Sequence, residues 1–160
     1  MKKGFTMIEL IFVIVILGVL ASVAIPRLAA TRDDAEVAKA ATNLTTAVSD
    51  LTAYYTAKGK FTDSVNKKIS DFTKLTNALA KDGKLYVKGK TECVKIELPD
   101  AAADASSKVN LKLTFTTNND AVCKQLAKLP GIKTMCGKGE GSSLTGECNI
   151  QIGGSGGIQF

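Results

Sequence analysis

The stretch KKGFTMIELIFVIVILGVLASVAIP, residues 2–26, places a carboxylate at Glu9 close to the start of an otherwise apolar run. A helix rising about 1.5 Å per residue covers about 30 Å from Phe5 to Ile25, the thickness of a bilayer's hydrocarbon core, with Glu9 in its first turn or two. An acidic residue at the centre of a membrane helix costs roughly 2.5–3.5 kcal/mol, and less toward the interface. The helix macrodipole returns about 0.3–1 kcal/mol to a first-turn carboxylate, which offsets part of that cost and gives no reason for it. An ionisable group at this depth predicts a function and a partner.

Upstream, Met1-Lys2-Lys3-Gly4 forms a short basic leader ending in glycine, and Phe5-Thr6-Met7-Ile8-Glu9-Leu10 opens the apolar run. From Gly4 through Pro26 the tract resembles the class III signal of type IV pilins and pseudopilins. The resemblance implies a prepilin peptidase that cuts between Gly4 and Phe5 at the cytoplasmic membrane face and methylates the new N-terminal residue, Phe5. It implies that Glu9 pairs with the terminal amine of a neighbouring subunit during filament assembly, neutralising two charges in an apolar filament core. Gly18 and Pro26 are then the helix-weakening positions between which family helices melt in filaments. The implied partners are other pilin subunits of the same or another kind, the prepilin peptidase, an inner-membrane assembly platform and the membrane itself. The implied location is a single pass of the bacterial inner membrane, N-terminus cytoplasmic and head periplasmic, with a cell-surface filament after assembly.

Residues 1–24 also fit a secretory signal, with Lys2 and Lys3 as its basic region, Leu10 to Leu20 as its apolar region and Ser22-Val23-Ala24 as a small-residue cleavage site. That reading leaves Glu9 unexplained and breaks a helix whose apolar pattern runs on past the cut. A one-pass anchor without assembly is a further alternative. Lys2 and Lys3 flank one side of the span and Arg27 and Arg32 the other, so charge bias leaves its orientation open.

Cys93, Cys123, Cys136 and Cys148 are the four cysteines, all far from the membrane segment. An even number in a small, loop-rich region predicts two disulfides and an oxidising compartment. Zinc competes poorly, because there is no histidine and no close pair of cysteines to place two ligands on one metal. Of the three connectivities, the favoured one staples two strands through Cys93–Cys148 and closes the loop after a short helix through Cys123–Cys136.

Beyond Pro26 the positions Ala30, Asp34, Val37, Ala41, Leu44, Val48, Leu51 and Tyr55 recur at spacings of four and three, a mostly apolar stripe. Gly59 reads as its stop, so one helix is expected from near Phe5 to Lys58, bent at Pro26. Within the connecting segment, Ile69, Phe72, Leu75 and Leu79 have helical spacing, with Ser70 as a cap and Gly83 as the end. Strands are expected at 84–88, 93–98 and 109–116, the last two with alternating apolar residues, and the loop PDAAADASSK lies between them. Asn119 or Asp120 caps a helix bearing Val122, Leu126 and Leu129 that Pro130-Gly131 ends. A final strand at 148–152 precedes a GGSGG spacer and Ile158-Gln159-Phe160.

The expected fold class is therefore α+β and pilin-like: a long N-terminal helix packed on an antiparallel sheet, with a disulfide-bounded C-terminal region. The expected divisions are a leader at 1–4, a transmembrane and assembly half-helix at 5–26 and a head at 27–160. At 160 residues, 45% hydrophobic, the chain suits one anchor and one head. Its net charge is +6.

No cofactor, metal or catalytic site is expected. The chain lacks histidine, Gly137, Gly139 and Gly141 read as a flexible turn, and Asp33, Asp34 and Glu36 read as a solvated helix face. The ten lysines from Lys58 to Lys95 face only Asp63, Asp71, Asp82 and Glu92. They read first as a solvated face and second as sequence-independent attraction to DNA. Three functions share this N-terminus: a type IV pilus-like filament, a type II secretion pseudopilin and a competence pseudopilin for DNA uptake. A membrane-anchored periplasmic binding module that does not polymerise is the alternative of another class. Major secretion pseudopilins usually carry an aromatic-rich, calcium-binding C-terminal loop, whereas this chain has no tryptophan and no acidic cluster near its end.

Overall fold

The computed structural model describes residues 4–63, 67–99, 108–116, 118–139, 144 and 146–154. The loop at 100–107, Gly141, Met1 to Lys3 of the leader, and the spacer and terminus from residue 155 lie outside the described residues. Contacts divide the chain into two units, Met1–Ala35 and Glu36–Phe160.

In the first unit, helix α1 (Met7–Lys58) begins at Met7 and continues through Pro26. The proline has no N–H, so the Ser22 carbonyl loses its partner one turn back. Apolar residues occupy all sides of this stretch and every described side chain up to Ala30 is exposed. It is long and apolar enough to cross a membrane.

In the second unit, the rest of α1 buries Val37, Ala40, Leu44, Ala47, Val48 and Leu51. The expected stripe holds at Val37, Leu44, Val48 and Leu51, but Ala30 and Asp34 are exposed and Ala40 and Ala47 join the core. Alanine occurs in helices for its propensity as much as for burial, so the pattern underweights it. Gly59 ends the helix as expected: its φ is +70° and its N–H donates to the Tyr55 carbonyl at 2.7 Å.

The chain then folds back on itself. The N–H of Ile69 donates to the Phe61 carbonyl at 3.0 Å, and buried Phe61 lies 5.8 Å from the Tyr54 ring and 5.7 Å from that of Tyr55. The helix expected from Ser70 to Gly83 is only a 3-10 turn, Phe72–Lys74, capped by Asp71 rather than Ser70. Side chains divert the backbone. Asp71 accepts from the Thr73 N–H at 3.1 Å, and the Thr76 hydroxyl accepts from the Ala78 N–H at 3.1 Å while donating to Asp50 at 2.7 Å. Phe72 and Leu79 reach the core without a helix.

Gly83 begins the sheet at φ +75°, where a Cβ would stand 2.7 Å from the Phe72 ring and 2.9 Å from the Ile96 carbonyl oxygen. Four antiparallel strands follow in the order β1 (Lys84–Val87), β2 (Thr91–Glu97), β3 (Val109–Phe115) and β4 (Gly146–Gly153). Leu85 pairs with Val94, Val94 with Phe115, Ile96 with Leu113, and Leu113 with Cys148, so these residues share the inner face. They join Val37, Leu44 and Leu51 of α1 in one core.

Between β1 and β2 the register slips, Leu85 facing Val94 and Tyr86 facing Glu92, which leaves Cys93 as an extra residue. This bulge breaks the alternation and buries Cys93 beside Val94. Between β3 and β4 lie α2 (Ala121–Lys128) and α3 (Pro130–Met135). Asp120 caps α2, its carboxylate accepting from Val122 N–H at 2.8 Å, and α2 buries Val122, Cys123 and Leu126. Pro130 does more than end α2. It occupies the first turn of α3, where its missing N–H costs nothing.

Candidate functional site

Gly4, Phe5 and Thr6 precede α1, and the carboxylate of Glu9 turns back onto them. The Thr6 N–H donates to Oε2 of Glu9 at 2.9 Å and the Thr6 hydroxyl donates to the same oxygen at 2.7 Å. In return the Glu9 N–H donates to the Thr6 hydroxyl oxygen at 3.3 Å. This is a reciprocal capping box, in which a threonine and a glutamate three residues on satisfy donors that a helix start leaves without partners. Reading Glu9 only as a membrane penalty misses it. The signal was the spacing Thr6-Met7-Ile8-Glu9, the T-x-x-E pattern that precedes an apolar helix. Both hydrogen bonds to the Glu9 carboxylate fall on Oε2, so one oxygen holds the helix start.

Gly4 is exposed, and neither at Gly4 nor at Gly18 would a Cβ meet any atom within 4 Å. Packing within the chain therefore does not explain either glycine. Phe5 stands 87% exposed.

Two disulfides are present, as expected, but their pairing is not the favoured one. Cys93 joins Cys123 with Cα atoms 5.0 Å apart, and Cys136 joins Cys148 at 5.5 Å. A Cys93–Cys148 staple is impossible in this sheet, because β3 separates β2 from β4. Strands two places apart stand about 9.5 Å from each other, beyond the roughly 7 Å that a disulfide spans. The bulge instead directs Cys93 to α2. Asn118 reinforces that link, its amide donating to the Glu92 carbonyl at 2.7 Å and its side-chain oxygen accepting from Asp120 N–H at 3.2 Å.

The lysine run is broken up by carboxylates. Lys84 meets Glu92 at 2.7 Å, Lys95 meets Glu97 at 2.8 Å, and Lys81 and Lys88 meet Asp71 and Asp120 at 3.5 Å. Glu97 is held below the usual carboxylate range by its hydrogen bond from Lys95 and by the field of Lys95, Lys112 and Lys68. The Thr73 hydroxyl holds Asp71 low, and Glu92 and Glu147 raise Lys84 and Lys112. Such alternation fits the electrostatics of a solvated face.

Residues 1–25 match the prokaryotic N-terminal methylation motif. No curated protein matches the chain, and no solved structure does. The motif, the apolar helix behind it and the antiparallel sheet with its two disulfides agree in kind. The chain carries a type IV pilin-like class III signal on an α+β, pilin-like fold.

Proposed function

We propose that the chain is a structural subunit of a type IV pilus-like filament, assembled through its N-terminal helix after leader cleavage. The observation that carries this reading is the methylation motif at residues 1–25, set at the head of a helix whose apolar side chains up to Leu28 are uncovered in the single chain. A prepilin peptidase removes residues 1–4 by cutting between Gly4 and Phe5 and methylates the Phe5 amine. Residues 5–26 anchor the subunit in the inner membrane and later pack against other subunits, and 27–160 form the head on the periplasmic side. Glu9 pairs through Oε1 with the terminal amine of a neighbour, while Oε2 stays on Thr6. Gly18 and Pro26 supply the weak points of the helix.

Intact-mass measurement of the membrane-extracted protein tests the processing step. The expected product begins at Phe5 and carries one added methyl group, whereas a start at Ile25 would establish a secretory signal instead. Pilus, secretion and competence filaments share this N-terminus, so deletion of the gene separates them: loss of motility, of protein export or of DNA uptake names the system.

A further inference from the structure

The four cysteines are not equally sheltered. Cys93 is 1% and Cys123 5% exposed, one on the bulge of β2 and the other on the buried side of α2. The Thr116 N–H donates to the Cys93 carbonyl at 2.9 Å, and Asn118 covers the Glu92 carbonyl beside it. Cys136 is the least buried of the four. It sits at the end of α3, ahead of Gly137 with its φ of +65°, and only its partner Cys148 lies inside, at 4% exposure. Lys133 and Lys138 flank Cys136, and Lys138 N–H folds back to the Lys133 carbonyl at 2.9 Å. Exposure admits an approaching thiolate, whereas burial in apolar surroundings suppresses exchange.

We propose that Cys136–Cys148 is a selectively reducible clasp: a dithiol opens it and releases the end of α3 from β4, while Cys93–Cys123 stays closed and holds α2 to the sheet. A thiolate of the dithiol attacks the Cys136 sulfur, forming a mixed disulfide and expelling the Cys148 thiolate, which takes a proton. The second thiol of the reductant then closes on the first, leaving as a cyclic disulfide and releasing Cys136 as a thiol. Two electrons pass from dithiol to protein. Cys148 lies on β4, the edge strand, opposite Leu113 of β3, so the clasp acts as a redox-sensitive device at one edge of the sheet.

The test uses the full chain in detergent without denaturant, exposed to rising dithiothreitol, quenched with iodoacetamide and mapped by peptide mass. Cys136 and Cys148 should be alkylated at least about tenfold faster than Cys93 and Cys123. Hydrogen exchange on the half-reduced protein should quicken in α3 and β4 and not in α2 or β2. The double variant Cys136→Ser, Cys148→Ser should show no alkylation at the dithiothreitol concentration that labels the native chain. Earlier or equal labelling of Cys93 and Cys123 overturns the proposal, as does exchange that quickens throughout the head when Cys136–Cys148 opens.

Discussion

Glu9 has two separable tasks, and one substitution divides them. Glutamine keeps an oxygen that accepts from Thr6 and so preserves the cap, but it carries no charge for a neighbour's amine. Glu9→Gln should therefore insert in the membrane normally and fail to form filaments; normal filament yield, with this variant as sole subunit, would remove charge pairing from the account. Glu9→Leu should also insert well, since it sheds an insertion penalty of roughly 2.5–3.5 kcal/mol at most. It should lose filaments as well, with a frayed helix start. Gly83 makes the corresponding case in the head. Any side chain there meets the Phe72 ring and the Ile96 carbonyl in a backbone conformation that L residues rarely adopt. Gly83→Ala should cost about 2 kcal/mol or more, read as a lower denaturation midpoint in urea at unchanged slope.

Elements with a regular period were the legible ones. The alternation Val109, Leu111, Leu113, Phe115 located β3 to within a residue, and Val94 and Ile96 gave β2 its inner face, with Leu98 buried just past its end. What alternation hides is a place where it is interrupted. A single extra residue at Cys93 turned a side chain inward that strict period two assigns outward, and the cysteine pairing went wrong with it. The 3-10 turn was missed because apolar spacing alone suggested a helix, while Asp71, Thr73 and Thr76 spent their side chains on nearby backbone. The N-terminal methylation motif was readable, and the T-x-x-E spacing within it marks the Thr6–Glu9 cap as well. At α2 the cap was legible to within one residue. Asp120→Ala removes the acceptor for Val122 and Cys123 N–H and should cost about 1 kcal/mol, whereas Asn119→Ala should cost a few tenths; thermal melts of the two variants decide between them.

Among the described residues, all of the buried core lies in the unit Glu36–Phe160, so a fragment beginning at Ala30 should fold in water with both disulfides formed. Circular dichroism and a mass four hydrogens below that of the reduced fragment check it; an aggregated or unstructured fragment would mean that the membrane half supplies part of the fold. Its stability should respond to pH in a definite direction. Asp71 and Glu97 have folded values below their unfolded ones, so their contribution is present above the unfolded values and disappears as pH falls through the folded ones. Lys84 and Lys112 are raised, so theirs is present below the unfolded value and is lost only as pH climbs through the folded one. Urea midpoints should therefore be level from about pH 5 to 9 and fall below about pH 4, with a shallower acid limb in Asp71→Asn, Glu97→Gln. Each cysteine in this head is bonded to the next one along the chain, 93 to 123 and 136 to 148. A polypeptide whose residues reach an oxidising space in chain order can thus be cross-linked correctly in order of arrival: the first pair is complete before the second has emerged, and an oxidase that simply joins each new thiol to the one waiting makes no error. Had the bonds been nested, the same oxidase would have trapped the wrong partners, and an isomerase would have been needed to undo them.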